Sequence, residues 1–89
     1  MMHNPASPGE LLREFLGDRS ASELARHIGV ARATISRVLN GHTSVTMDLS
    51  IRLGEALSLC PDFFSKAQLQ YDLWTESQKK RRKIKPLTA

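Results

Sequence analysis

The chain is short of cysteine, of aromatic residues and of any long apolar run. Its one thiol, Cys60, excludes an internal disulfide framework and fits a reducing cytoplasm. No stretch reaches the roughly 18 consecutive apolar residues that a membrane span needs, so no membrane partner is expected. The opening MMHNPASPGE has neither a basic nor an apolar segment and does not read as a signal peptide. His3, His27 and His42 are too scattered to make a metal site with one cysteine. There is no glycine-rich phosphate loop, nucleophile elbow or spaced carboxylate pair. No metal, no cofactor and no catalytic activity are therefore expected. What is present, 89 residues at 40% hydrophobic, builds one small domain with a modest core. Domains of this size often gain stability from a partner or a second copy.

Charge is separated along the chain. The run KKRRKIK, Lys79 to Lys85, holds six of the thirteen basic residues. Residues 1–78 therefore carry seven basic against nine acidic groups, a net of −2. Within them, residues 19–46 set Arg19, Arg26, Arg32 and Arg37 against Glu23, a net of +3. Residues 47–78 set Asp48, Glu55, Asp62, Asp72 and Glu76 against Arg52 and Lys66, a net of −3. Such asymmetry suggests two partners with opposite fields. It also divides the chain into a folded unit over residues 1–78 and a basic, flexible tail over 79–89.

Helix signals repeat along the folded unit. Residues 1–6 read as a disordered lead. SPGE, Ser7 to Glu10, is a helix start with Ser7 as N-cap, Pro8 first in the helix and Glu10 closing a capping box. Leu11, Leu12, Phe15 and Leu16 then share one face, and Gly17-Asp18 stop the helix. SASE, Ser20 to Glu23, is a second capping box, followed by the apolar Leu24, Ala25 and Ile28 and a stop at Gly29. A third helix is expected from about Ala31 to Leu39, with Ile35, Val38 and Leu39 inward and Asn40-Gly41 at its end. Thr46 caps a fourth, with Asp48 in its first turn and Leu49, Leu53, Ala56 and Leu57 as its buried stripe. Cys60-Pro61-Asp62 opens a fifth, with Pro61 at the first position, that could run about 25 Å to Ser77. Only Ile84 to Leu87 has any strand character. The expected fold is all-α with five helices.

Two helices of about eight residues, joined by a tight turn containing a glycine, make a helix-turn-helix. Ala25 is small where the helices would cross, Gly29 supplies the turn, and Val30, Ile35 and Val38 pin the second helix on the first. Arg32, Ala33, Thr34, Ser36, Arg37 and Asn40 then supply an outer face fit for the DNA major groove. Arg32 and Arg37 would read guanine or clamp phosphate, and Ala33 would touch a thymine methyl. The N–H groups near Ser20 and Ala21 would take a phosphate at a helix N-terminus, and His42 would lie beside another. The alternative is a plain helical bundle with a solvated polar face.

At these residues the sequence resembles a known family. SELARHIGVARATISRVLNG is similar to the helix-turn-helix of the Cro and lambda-repressor-like (XRE) class. SPGELLREFL resembles the "PGE-L-EEFL" opening of HigA-type antitoxins, also called virulence-associated protein I. VTMDLSIRLGEALSLCPDFFSKAQLQYDLW resembles their fourth and fifth helices. The resemblance covers about residues 7–77. It implies a lambda-repressor-like homodimer that represses its own operon from double-stranded operator DNA. It also implies a toxin partner, usually a small basic RNase of the HigB/RelE kind. The chain departs from the family in the short link GDRS, in Ala31 where serine is frequent, in Cys60 at a usual cap, and in its very basic tail.

Four of the five aromatics, Phe63, Phe64, Tyr71 and Trp74, lie on the fifth helix. Phe63 and Phe64 read as core. Tyr71 and Trp74, with Met47 and Ile51 on the flank of the fourth helix, read as a dimer or toxin interface. A symmetric dimer would set two recognition helices about 34 Å apart, over an inverted repeat. The tail has three readings: a solvated segment, an arm on DNA phosphate, or an RNA-binding element. Cys60, expected at a helix N-terminus, is either a passable cap or a redox-sensitive thiol. Two other functions stay open beside the antitoxin. One is a solitary regulator without a toxin; the other is a protein-interaction module that no longer binds DNA.

Overall fold

In the computed structural model, which describes residues 4–88, five helices follow one another. They are α1 (Pro8–Leu16), α2 (Ala21–Ile28), α3 (Arg32–Leu39), α4 (Met47–Leu57) and α5 (Phe63–Ser77). Among the described residues there is no strand, and Ile84 to Leu87 are irregular. The fold is all-α. Packing runs α2 on α3, α1 across α3 and onto α5, and α4 between α2 and α5. One core results: Leu12, Leu16, Leu24, Ala25, Ile35, Val38, Val45, Leu49, Leu53 and Phe64. Phe64 is fully buried, which contributes about 1.5–3 kcal/mol. Its ring meets Phe63 edge-on with centroids 5.1 Å apart, and Phe15 meets Phe63 likewise at 5.6 Å.

The helix starts explain the order of elements. At α1 the capping box is complete: Glu10 N–H donates to Ser7 Oγ at 3.2 Å and Ser7 N–H donates to Glu10 Oε1 at 3.3 Å. Pro8 and Gly9 are buried, because here α1 meets the end of α3. A Cβ on Gly9 would run into Val38 O and come within 2.9 Å of Leu39 O. At α2 the box is half made. Glu23 N–H donates to Ser20 Oγ at 3.1 Å, but the Glu23 carboxylate turns toward Arg19, 3.9 Å away, not back to Ser20 N–H. At α4, Leu49 N–H donates to Thr46 Oγ1 at 3.2 Å, as the sequence implied.

Three of the helix ends share one device. A 6→1 backbone bond closes α2 (Val30 N–H to Ala25 O, 3.0 Å), α3 (His42 N–H to Arg37 O, 2.8 Å) and α4 (Leu59 N–H to Gly54 O, 2.8 Å). This closure needs a left-handed residue just past the helix. Gly29 (φ 77°) and Gly41 (φ 73°) supply it for the first two, and Ser58 (φ 58°) for the third. Asn40, expected to share this geometry, keeps φ −91°.

The start of α5 corrects the sequence reading. Pro61 is not the first helical residue and Cys60 is not the cap; the helix begins at Phe63, with Asp62 at the N-cap and no side-chain cap bond from it. The capping acceptor comes from another helix. Ser65 N–H donates to Ser50 Oγ at 3.0 Å, and Ser50 Oγ–H donates to Pro61 O at 2.6 Å. Ser50 is the only buried polar side chain among the described residues. It does from α4 what an N-cap serine does locally. The buried stripe of α4 is likewise Leu49, Ser50, Leu53 and Gly54, with Ala56 and Leu57 only half-buried. Gly54 is small because a Cβ there would lie 2.9 Å from Cys60 O.

Candidate nucleic-acid interface

The surface is built on α3 and the turns at its two ends. Ile35 and Val38 are buried and anchor the helix on α1 and α2. Arg32, Ala33, Arg37 and Asn40 are exposed, and Thr34 and Ser36 are half-buried. Positions 33, 36, 37 and 40 share one helical face, and Arg32 sits one turn above Ser36. Neither Arg32 nor Arg37 has a carboxylate within 4 Å among the described residues. Two unpaired guanidiniums therefore project from a helix whose other outward side chains are short. Ala31 at the N-cap makes no side-chain bond, so the first N–H groups of α3 are not covered by a side chain.

Neighbouring elements fix the position of this helix. Ala25, 2% exposed, lets α3 cross α2 closely. The turn is held from below: Arg52 of α4 donates through Nη1 to Ile28 O at 2.7 Å, while its Nε donates to Asp48 Oδ2 at 2.9 Å. A cation at the last carbonyls of α2 opposes that helix's dipole favourably. Beyond α3, Val45 is buried and its N–H donates to Gln68 Oε1 at 2.9 Å, so α5 tethers the 41–46 loop. Gln68 in turn donates through Nε2 to Asp72 Oδ1 at 2.9 Å. Arg52 and Gln68 were not singled out from sequence. Neither lies in a motif, and their role appears only when α4 and α5 pack back on the helix-turn-helix.

Of the other expected contacts, Ser20 is exposed and Ala21 half-buried at the start of α2, and His42 is exposed just past α3. Helix α2 ends at the tight turn, so its first N–H groups lie a full helix length along the chain from those of α3.

This arrangement of two short helices about a left-handed glycine is matched by the helix-turn-helix family model, over residues 10–64. The chain belongs to the helix-turn-helix family that includes the HigA antitoxins. Antitoxin HigA-1 of Vibrio cholerae is 36% identical over 89 aligned positions, covering 93% of this chain and 84% of that one. Among solved structures, an antidote protein of a plasmid maintenance system from Nostoc punctiforme superposes with TM-score 0.81. It is 37% identical, over 85% of this chain and 86% of the other. The Pseudomonas aeruginosa antitoxin HigA, solved with the higBA promoter, gives TM-score 0.77 at 35% identity, over 81% and 82% of the two chains. These relatives align over four fifths or more of this chain, so the resemblance first seen in SELARHIGVARATISRVLNG extends beyond the two-helix motif.

Of the residues expected at a protein interface, Ile51 and Tyr71 line different hollows. Met47 is 72% exposed, and Ile51 lines a hollow with His27, Ile28 and Glu55. Tyr71 is half-buried and lines a different groove, between the 40–44 loop and α5. Trp74 is half-buried with its ring centroid 6.4 Å from that of Tyr71. Leu69 and Leu73, 59% and 53% exposed, were passed over in the sequence. They lie one turn apart on the face of α5 opposite Phe64 and Tyr71. Their i, i+4 spacing amid polar neighbours was the available signal. Cys60 is exposed and lies three residues before α5 begins, outside its first turn. No helix among the described residues is long and apolar enough to cross a membrane.

Proposed function

We propose that this chain is a dimeric, sequence-specific repressor of its own operon and the antitoxin of a type II toxin–antitoxin pair, acting in the cytoplasm by binding rather than catalysis. The observation that carries this reading is the outer face of α3, where Arg32, Ala33, Arg37 and Asn40 are exposed and uncommitted while Ile35 and Val38 hold the helix from behind. The promoter complex of the related Pseudomonas aeruginosa HigA supports it. In this reading α3 enters the major groove. Arg32 and Arg37 take guanine or phosphate, Ala33 a thymine methyl, and Thr34, Ser36 and Asn40 the remaining base edges and backbone. Ser20, Ala21 and His42 flank it on phosphates. Two copies present α3 about 34 Å apart to an inverted repeat. Residues 1–78 form the binding unit, with 79–89 appended to it. Met47, Ile51, Tyr71 and Trp74 are the candidates for the dimer or toxin contact. The net −3 of residues 47–78 suits a basic HigB/RelE-like RNase.

The test is titration of DNA from upstream of the chain's own operon against scrambled DNA, with the wild type and the Arg32→Ala/Arg37→Ala double variant. The wild type is expected to prefer its own DNA. The double variant should lose that preference, since each good bidentate contact is worth about 1–3 kcal/mol of discrimination. Equal binding to both DNAs by the wild type would remove the repressor reading. A basic reading frame beside its own, whose product co-purifies with the chain, separates the antitoxin from a solitary regulator.

A further inference from the structure

Residues 79–88 leave the last turn of α5 without regular structure, and all of them are exposed. They carry Lys79, Lys80, Arg81, Arg82, Lys83 and Lys85. Two of these lean back on Glu76, Lys79 Nζ at 3.1 Å and Arg81 Nη1 at 3.9 Å, with every side chain concerned more than half exposed. Exposed pairs of this kind are weak and exchange readily. The other four cations have no carboxylate within 4 Å among the described residues. The radius of gyration is 15.6 Å, against about 12 Å for a compact chain of this length. The excess fits a segment that stands off the body.

We infer that this segment is a phosphate-tracking arm that grips duplex DNA beside the site read by α3. The inference rests on the operator-binding reading of α3. Charge is the first argument. The chain without the arm is net −2, so its far field opposes approach to DNA; the six added cations reverse the sign. Reach is the second. Tyr71 and Asp72 line the same groove as Asn40, Gly41 and His42, so α5 passes the end of α3. From there Gln78 is about 9 Å further along the helix, and ten extended residues then span up to about 33 Å. DNA offers one phosphate per about 1.7 Å of its axis, so six cations find partners anywhere within that span. Composition is the third. Single-stranded nucleic acid is held by aromatic platforms between basic residues, and residues 79–88 contain no aromatic. That leaves the duplex backbone, which needs charge alone.

The test compares the full chain, a chain ending at Gln78, and a chain with all six cations changed to Gln. Each is titrated over a salt series against own-operon duplex, scrambled duplex and single-stranded RNA of equal length. Six engaged phosphates add about 5 per protomer to the slope of log affinity on log salt, or about a thousandfold between about 50 and 200 mM salt. The expected result is a shallower slope by several units in both altered chains, on both duplexes alike, with the own-over-scrambled ratio kept. An unchanged slope overturns the arm. A tail-dependent affinity greater for the RNA than for duplex also overturns it. Loss of slope with no own-over-scrambled preference in the wild type would sink the operator reading and leave the arm standing. The Gln-substituted chain carries the result if truncation disturbs folding.

Discussion

Replacing Ser50 by alanine should unfasten α5 from α4 while leaving the shape of the core almost unchanged. The hydroxyl accepts from Ser65 N–H at 3.0 Å and donates to Pro61 O at 2.6 Å. Alanine removes both bonds and leaves Ser65 N–H and Pro61 C=O without their partner at a position where Ser50 itself is 1% exposed. Stranding a buried polar group costs about 1–3 kcal/mol. Pro61 and Asp62 are exposed, so water can reach this corner and the low end applies to each group. Alanine's better helix propensity returns about 0.5 kcal/mol. The expected net loss is about 1.5–2 kcal/mol, or roughly 6–16 °C in Tm for a domain of this size. Urea unfolding followed by circular dichroism measures the loss, and amide exchange locates it. Ser65 N–H should exchange faster in the variant relative to amides in α3. Ser50→Thr keeps the hydroxyl and should retain most of the protection at Ser65. A variant within about 0.5 kcal/mol of wild type, the scatter of ordinary surface changes, and with Ser65 still protected, would refute the idea that α4 caps α5.

Two further outcomes follow from the backbone. Gly9→Ala drives a Cβ into Val38 O and to within 2.9 Å of Leu39 O, neither of which can rotate away. Stability should fall by about 1–3 kcal/mol or more by urea titration, as for overpacked sites, and own-operon affinity should fall with it because α3 must shift. Ser58→Gly relieves a left-handed residue at φ 58°. It should raise Tm modestly, since that conformation costs an L-residue about 1–2 kcal/mol and glycine's looser unfolded state returns only part of the gain. A fall in Tm for Ser58→Gly would mean that the serine side chain itself contributes.

The parts of the fold legible in the sequence are those encoded within one turn of helix. Ser7, Ser20 and Thr46 cap through their own neighbours, and Gly29 takes the one conformation that few other residues accept, so each could be read where it stands. The inward set Ile35 and Val38 and the outward set Arg32, Ala33 and Arg37 followed from helical spacing. What could not be read depends on residues far apart in the chain. The start of α5 is set by Ser50, fifteen residues before Ser65, and no local pattern announces it. Cys60-Pro61-Asp62 looked like a helix start because proline often stands first; here it forms the turn that presents Pro61 O to Ser50. Arg52 and Gln68 are equally silent, since a surface arginine and glutamine carry no sign of which carbonyl or amide they will meet. The second half of the SASE box failed for a simpler reason: Arg19, one turn before Glu23, competes for its carboxylate.

The division of labour on α3 bears on how such a chain can change. Its stability rests on Ile35 and Val38, and its outward identity on Arg32, Ala33, Arg37 and Asn40, with no residue in both groups. Exposed positions of this kind usually shift stability by no more than about 0.5 kcal/mol when substituted. New outward side chains can therefore accumulate one at a time without passing through an unfolded intermediate. A duplicated copy of this chain is free to drift toward a different target while keeping the same scaffold. For the same reason, an engineer could exchange the outer face of α3 as a cassette and leave every buried residue untouched.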